Sequence, residues 1–308
     1  MRTSGSTIRI SQRTLPPEGS LSPTQERAQE LASNLIQSYS SRHTTREGLE
    51  FLKDHAPCEI MQDGEHLIIE RSSTLPWIRD IPPSYGVKGG AAREELVSVL
   101  GLREPRQPRD IDLVRRGHHR VPDDDAVARV YMAKDYSHGA RVELIRDMEN
   151  HLVTRDLTIN EVVVVDGQIH ATLLCLLDSF GHVIRPSRHR GGMPVGRPKR
   201  VQALFGLTGK SLLKMARLYA EGSCNGESWS MGGIPEEVTI YEFDLAIHLN
   251  KSFQTGREVA LAFLRTCEIL SLIKPTGDRL RNTLDELAHL RHGERGLFPD
   301  VPDKEWER

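Results

Sequence analysis

Residues 85–114 read YGVKGGAAREELVSVLGLREPRQPRDIDLV, and this stretch decides the fold class. A short apolar strand, YGVK, ends at Gly89 and Gly90, and a helical pattern then runs to Gly101. A polar loop with two prolines leads to a second predicted strand, IDLV. This order of strand, glycine pair, helix and strand predicts an α/β arrangement. The backbone amides at the start of its helix can approach an anion closely.

Two aspartates at the second predicted strand, Asp110 and Asp112, form a D-x-D pair. Residues two apart in a strand point to the same side, so the two carboxylates are predicted to project together. They repel each other unless a cation lies between them, and hard oxygen ligands of this kind suit Mg²⁺. Glu143, on a later predicted strand, could complete a two-ion site for in-line phosphoryl or nucleotidyl transfer. A D-x-D pair or a glycine pair alone is usually a surface feature or a turn, and their combination favours a site.

Outside this stretch, helical and strand patterns alternate. Pro23 opens a helical pattern that runs to about Ser40, and Thr45 is the predicted N-cap of a second helix. Further strands are predicted at 66–72, 127–133, 140–146 and 238–243, and residues 159–169 are predicted to be a strand that runs into a turn. Further helices are predicted at 200–221, 257–273 and 278–292. Residues 171–180 are apolar throughout and fit either a buried helix or a buried strand.

These elements predict an α+β protein with three regions. Residues 1–80 are predicted to be an N-terminal extension of unknown role. Residues 81–196 are predicted to form an α/β-type head with a small mixed sheet of four or five strands backed by helices. Residues 197–308 are predicted to form a mostly helical domain. A cluster of prolines indicates the first boundary, and a basic segment rich in glycine and proline indicates the second.

Composition narrows the classes of function. The 308 residues include 41 Lys and Arg against 43 Asp and Glu, which excludes a uniformly basic nucleic-acid coat but allows a local basic face. No apolar run approaches the roughly 20 residues of a membrane span, and the N-terminus has no apolar signal region. The four cysteines form no C-x-x-C pair, which argues against a disulfide framework and a cysteine zinc site. We therefore expect a cytoplasmic protein without a membrane partner.

Two segments resemble a known family. GGAAREELVSVLGLREPRQPRDIDLV (89–114) is similar to motif A of tRNA nucleotidyltransferases (CCA-adding enzymes) and bacterial poly(A) polymerases, approximately GGAVRD followed by KDIDLV. These form the class II branch of the DNA polymerase β-like nucleotidyltransferase superfamily. TRDLTINEVVVVDGQI (154–169) resembles motif B, RRDFTINALAYD with a turn glycine. Between them, RVELIR (141–146) looks like the family's strand with a third acid, and 197–219 is weakly similar to its neck.

The resemblance implies a nucleotidyltransferase palm domain with a helical neck. It implies transfer of a nucleotide from an NTP (ATP, CTP or both) to an RNA 3′ end, with tRNA as the first candidate. Asp110 and Asp112 would bind Mg²⁺, as two ions, and Glu143 would be the third carboxylate and help to activate the attacking hydroxyl. The nucleotide-binding residues implied are Gly89, Gly90 and Arg93 for the phosphates, Arg155 and Asp156 for the ribose, and Asn160 for the phosphate or the metal.

Two features of the sequence leave alternatives open. The basic residues Arg197, Lys199 and Arg200 could contact RNA phosphates or belong to a solvated linker. Asp156 could cap a helix instead of binding ribose.

Three positions differ from the family motifs. Glu94 stands in place of an aspartate, Thr154 in place of an arginine and His151 in place of an acid. Two other functions therefore stay open: the same chemistry on a protein or small-molecule acceptor, and a catalytically degenerate module that binds nucleotide or RNA. The three predicted acids argue against the degenerate module, because facing carboxylates are costly to keep without a cation.

Overall fold

Strands and helices alternate along most of the chain. The computed structural model describes residues 5–10, 12, 14–17, 19–37, 44–70, 75–108, 110–131, 142–187, 209–234 and 236–273. Its strands are β1 Gly5–Arg9, β2 Ile60–Asp63, β3 His66–Ile69, β4 Gly86–Lys88, β5 Asp112–Arg116, β6 Glu143–Ile145, β7 Val162–Val165, β8 Gln168–Ala171, β9 Val183–Ile184, β10 Ser230–Met231 and β11 Glu237–Tyr241. Its helices are α1 Pro23–Gln37, α2 Arg46–His55, α3 Pro76–Arg79, α4 Gly89–Val99, α5 Asp123–Tyr131, α6 Met148–Val153, α7 Leu173–Phe180, α8 Gly209–Cys224, α9 Glu242–Thr255 and α10 Arg257–Ile269, with a 3₁₀ turn at Thr158–Asn160.

The described residues divide into two compact units. One comprises residues 22–181 together with Ser187, and the other comprises the residues before 22, residues 182–186 and residues 209–273. The predicted head boundary at 196/197 and the predicted helix at 278–292 lie outside the described residues. No helix in the described part of the chain has both the length and the apolar content that a bilayer crossing needs.

The first unit is built on a mixed sheet with the order β2-β3-β8-β7-β4-β5-β6. All neighbours in it pair antiparallel except β5 and β6, which are parallel. The prediction of an α+β fold with a mixed sheet is confirmed. The predicted number of four or five strands was wrong, because this sheet has seven among the described residues. The two strands at residues 60–69, which were assigned to the N-terminal extension, account for the difference.

The two faces of this sheet carry different cores, since successive side chains of a strand point to opposite faces. Val87, Leu113 and Val164 face a large apolar core that also holds residues of α1, α4 and α7. Val114 and Val163 face a small apolar cluster that is completed by Ile145, Leu152 and Val165. The charged residues Lys88, Asp112 and Glu143 lie on the same face of the sheet as this smaller cluster.

Local sequence signals explain several element ends. The Thr45 hydroxyl accepts a hydrogen bond from the Gly48 amide at 3.2 Å, which confirms the predicted cap of α2. Thr172 caps α7 in the same way, which decides that the apolar residues after it form a helix. Asp166 and Gly167 have φ of 54° and 78° and make the tight turn from β7 to β8.

One predicted strand is a helix. Residues 127–133 were predicted as a strand, but the described part of this range, through Tyr131, lies in α5. Three aspartates, Asp123, Asp124 and Asp125, occupy the first turn of that helix, where negative charge interacts favourably with the helix dipole. Ala128 is fully buried. The acidic first turn outweighs the strand propensity of the two valines.

Among its described residues, the second unit contains three helices and two small sheets. α8 packs against α9 and α10, which also contact each other. β1 pairs antiparallel with β11, and β9 pairs in parallel with β10. The predicted strand at 238–243 is confirmed as β11, although it ends at Tyr241 and α9 begins at the next residue.

Candidate active site

Three charged side chains lie on one face of the sheet where β4, β5 and β6 run side by side. Lys88 at the end of β4 pairs with Asp112 at the start of β5, and Val114 two residues on pairs with Glu143 on β6. Cross-strand partners and residues two apart share a face, so Lys88, Asp112 and Glu143 do as well. The predicted position of Glu143, on a strand next to that of Asp112, is confirmed. The prediction that Asp110 lies on the same strand as Asp112 was wrong, because Asp110 is partly buried and lies two residues before β5 begins.

The backbone conformation of Gly89 and its closeness to Asp112 both favour glycine at this position. Gly89 starts α4 with φ of +64°, and a Cβ added to it would lie 3.1 Å from Asp112 Oδ2. The Asp112 carboxylate therefore lies directly against the glycine backbone. Gly90 differs, because a Cβ there would meet nothing within 4 Å. Only the first glycine of the predicted pair is required by the local geometry.

Glu143 is the centre of a polar cluster. One carboxylate oxygen, Oε2, accepts a hydrogen bond from the Lys88 ammonium. The other, Oε1, lies 3.0 Å from an Arg155 guanidinium nitrogen and 3.3 Å from His151 Nδ1. Arg155 is further fixed because its Nε donates to the His151 carbonyl at 3.0 Å. Both oxygens of Glu143 are thus occupied by cationic or imidazole groups.

The electrostatics of Glu143 follow from these contacts. Burial opposes the charged carboxylate, but the His151 hydrogen bond and the charges of Lys88 and Arg155 outweigh it and hold the pKa of Glu143 well below its ordinary range. Burial is also the main reason why the pKa of His151 is lowered, although Glu143 opposes that shift. Glu143 is consequently a stable anion and a weak proton acceptor.

A second chain of hydrogen bonds connects the two motifs. Arg93 of α4 donates to the Asn160 side-chain oxygen at 2.9 Å, and the Asn160 amide donates to Asp156 Oδ1 at 2.9 Å. Asn160 is 2% exposed, whereas Asp156 is exposed. Three of the predicted nucleotide-binding residues therefore form one connected group that ends at a solvent-accessible carboxylate.

The helix-cap alternative for Asp156 does not hold. The 3₁₀ turn that follows has Leu157 as its N-cap, with no side-chain capping bond. Asp156 Oδ1 instead accepts from the Leu157 amide at 2.9 Å as well as from Asn160. These bonds fix the carboxylate in place without making it a helix cap.

The three departures from the family motifs all take part in local contacts. Glu94 receives two hydrogen bonds from Arg103, at 2.7 and 2.8 Å, and one from the Arg106 amide at 2.9 Å. It thereby ties the loop before β5 to α4. The Thr154 hydroxyl donates to the His151 carbonyl at 3.0 Å, and His151 itself supports Glu143. The sequence shows that these positions differ from the family motifs, but it does not predict the contacts that they make.

The side chains that could hold Mg²⁺ are the two aspartates. A pair of carboxylates suits this ion, which keeps several waters and binds substrate phosphates as well. A side chain at Gly89 would lie close to Asp112 Oδ2, so glycine keeps that space open. Glu143 does not fit as a third ligand in its present contacts. Within the ranges that the structure describes, no group of three or more His, Cys, Asp or Glu side chains is arranged to hold a metal ion.

Sequence reasoning missed Lys88 as a member of this cluster. Lys88 precedes the glycine pair and looks like an ordinary strand residue, and only the register of β4, β5 and β6 reveals its reach to Glu143. Gly89, Arg93, Arg155, Asp156 and Asn160 have been placed above. The predicted RNA contacts Arg197, Lys199 and Arg200 lie outside the described residues.

Comparison with known proteins adds no family assignment. The chain matches no protein-family model and no curated protein sequence.

Proposed function

We propose that this chain is a Mg²⁺-dependent nucleotidyltransferase that adds nucleotides from an NTP to the 3′ end of an RNA, with tRNA as the first candidate. One observation carries the proposal: side chains from both motifs that resemble the family are hydrogen-bonded to each other. Arg93 of the first motif bonds Asn160 of the second, which in turn bonds Asp156. Arg155 of the second motif contacts Glu143, on the strand beside that of Asp112.

Each residue has a part in the proposed reaction. Asp110 and Asp112 would hold Mg²⁺, which when bound neutralises charge on the phosphates. Gly89 allows the nucleotide phosphates to approach the first amides of α4, where the helix dipole favours an anion. Asp156 can accept hydrogen bonds from ribose hydroxyls, and Asn160 keeps its carboxylate oriented.

The proposed reaction is a single displacement at phosphorus. The acceptor 3′-oxygen forms a bond to the α-phosphorus, and the bond from that phosphorus to the oxygen shared with the β-phosphate breaks. Pyrophosphate leaves with the electron pair, and the hydroxyl proton passes to solvent. Positioning and charge stabilisation supply most of the rate enhancement in such transfers. Glu143, with its low pKa, is poorly suited to the predicted role of activating the hydroxyl.

The RNA acceptor and the palm-and-neck layout are parts of the same proposal. The unit with the seven-stranded sheet would serve as the palm, and α8, which begins within the segment that is weakly similar to the family's neck, would belong to the neck. Basic residues of that segment would contact the RNA backbone. A protein or small-molecule acceptor would use the same nucleotide-binding residues. Experiment therefore has to distinguish it from an RNA acceptor.

The test is transfer of labelled ATP or CTP, with Mg²⁺, to tRNA that lacks its 3′ end. We expect the wild-type protein to incorporate nucleotide and Asp112→Asn to do so about a hundredfold or more slowly. Removal of one group that stabilises charge in a transition state typically lowers the rate by this factor. Asp54→Asn is the matched control, because Asp54 is an exposed aspartate near the end of α2.

Each outcome has a separate meaning. Incorporation that Asp112→Asn abolishes and Asp54→Asn keeps supports the proposal as stated. NTP binding without transfer to RNA would contradict the RNA acceptor and leave the protein or small-molecule acceptor. Transfer that survives in Asp112→Asn would contradict the assignment of the metal site.

A further inference from the structure

The contacts of Glu143 raise the question of what this carboxylate does. Its two oxygens receive three donors, and two of these, Lys88 and Arg155, carry full positive charges. A carboxylate with this many partners is a poor metal ligand, since each partner would first have to leave. It is well suited to holding the two cations in fixed positions.

Lys88 reaches Glu143 by crossing a strand. β5 lies between β4, which carries Lys88, and β6, which carries Glu143. Two strand spacings amount to roughly 10 Å, so the lysine side chain must extend over β5 on the face that Asp112 shares. Its ammonium is therefore held over the middle strand of the site. The Lys88 side chain is 22% exposed, so solvent and ligands can reach it.

The position of Lys88 in the chain is equally specific. Lys88 is the N-cap residue of α4 and makes no side-chain capping bond there. The next residue is Gly89, whose positive φ turns the chain into the helix beside Asp112. The ammonium therefore belongs to the residue that precedes the first amides of a helix eleven residues long. An ammonium has three N–H donors, and the contact to Glu143 uses one of them.

We infer that Lys88 binds the phosphates of the incoming nucleoside triphosphate and that Glu143 is the positioning residue that holds Lys88 over the site. The inference rests on the proposed function and gives Glu143 a part other than proton transfer or metal binding. Glu143 also fixes Arg155 and receives support from His151, so one anion orders two cations. A nucleoside triphosphate, with about four negative charges, is a ligand class whose phosphates can accept hydrogen bonds from cations held in this way.

The test measures binding without metal, so that the lysine is separated from Mg²⁺. Calorimetry in EDTA compares ATP, inorganic triphosphate and adenosine on the wild type, Lys88→Met and Lys88→Arg. We expect Lys88→Met to lower the affinity for ATP and for inorganic triphosphate about tenfold or more, because a hydrogen bond to a charged group is lost. Lys88→Arg should recover most of that affinity, and adenosine binding should not change. Lys53→Met, at an exposed lysine of α2, is the matched control.

A double-mutant cycle tests the positioning role. We expect the effect of Glu143→Gln on ATP affinity to differ at least threefold between the wild-type and Lys88→Met backgrounds, because residues in contact are coupled. Equal effects in both backgrounds would overturn the role of Glu143.

Failure of this inference is distinguishable from failure of the proposed function. If Lys88→Met binds ATP as tightly as the wild type and the wild type still transfers nucleotides, only the role of Lys88 is wrong. If the wild type binds neither ATP nor inorganic triphosphate, with or without Mg²⁺, both proposals are wrong.

Discussion

Asp124 and Glu143 are two carboxylates beside the same strand, β5, and each contacts an arginine. Asp124 is 1% exposed and receives four donors: two Arg115 nitrogens at 2.8 and 3.1 Å, the Tyr85 hydroxyl at 3.0 Å and the Val121 amide at 3.0 Å. Arg115 also donates to two backbone carbonyls, those of Arg116 and His119.

Glu143 is held differently. Its side chain is 35% exposed, and the cations on it remain accessible in part, at 22% for Lys88 and 16% for Arg155. Two ion pairs of similar composition thus differ in exposure: the Arg115–Asp124 pair is closed to solvent, and the Lys88–Glu143 pair is open to it. A closed pair uses its donors inside the protein and anchors the loop between β5 and α5, whereas an open pair keeps donors available for a ligand. The open pair is the better candidate for function.

Of these substitutions, the removal of the Asp124 charge from the closed pair should lower the free energy of unfolding most. Asp124→Asn leaves the Arg115 guanidinium without its anion in a buried place, and we expect the free energy of unfolding to fall by about 3 kcal/mol or more. Asp125→Asn, at the neighbouring aspartate whose side chain is 66% exposed, should change it by less than about 0.5 kcal/mol. Urea denaturation at pH 7 measures both. A small loss in Asp124→Asn would mean that this pair is not the anchor described.

A pH titration probes a second contact of the closed kind, between two buried histidines. An Arg116 nitrogen lies 3.1 Å from His170 Nε2, and because a guanidinium only donates, that ring nitrogen must accept. His170 Nδ1, 3.2 Å from His66 Nε2, then carries the proton. Burial, followed by the charge of Arg116, lowers the pKa of His170 to about 4, and burial lowers that of His66 against the opposing charge of Asp63.

The sign of the pH effect follows from these shifts. The unfolded chain protonates its histidines near pH 6.5, while folded His170 stays neutral to about pH 4, so stability falls as the pH drops through this window. The loss attributable to His170 is at most about 3 kcal/mol. Asp124, with a pKa of about 2, loses its contribution to the free energy of unfolding only below pH 4. Urea denaturation at pH 7.5 and 5.0 should show a smaller decrease in His170→Asn than in the wild type. An equal decrease would contradict the neutral histidine pair.

The sequence predicts local features of this molecule better than its long-range pairings. The glycine turn, the strand before it, the Thr45 cap and the Asp166–Gly167 turn all follow from neighbouring residues, and the structure contains each of them. The seven-stranded order does not follow in this way, because β3 pairs with β8 across about a hundred residues.

The site shows the same division. Arg93, Asp156 and Asn160 were predicted together from motif resemblance, and they are hydrogen-bonded to one another. Lys88 was missed, because its contact with Glu143 depends on two strand registers and on a side chain that crosses β5. A lysine before a glycine pair carries no such signal in the sequence.

The glycine pair offers an internal control of intermediate size. Gly89→Ala places a Cβ on a residue with φ of +64° and 3.1 Å from Asp112 Oδ2, so we expect a loss of about 1 to 2 kcal/mol in stability. Gly90→Ala adds a Cβ where nothing lies within 4 Å, inside a helix, and should leave stability unchanged or raise it by up to about 1 kcal/mol. The same urea denaturation measures the pair. Equal effects of the two substitutions would contradict the turn geometry of Gly89.

Lys88→Met, at the open pair, should change stability only slightly. Lys88 and Glu143 are both partly exposed, and such pairs contribute about 1 kcal/mol or less. Glu143 also keeps Arg155 and His151 as partners after the substitution, so no buried charge is left alone. We therefore expect nearly wild-type urea denaturation from a variant that binds ATP at least about tenfold more weakly. A stability loss as large as that of Asp124→Asn would show that the Lys88–Glu143 pair is also a closed anchor, and the distinction between the two carboxylates would then fail.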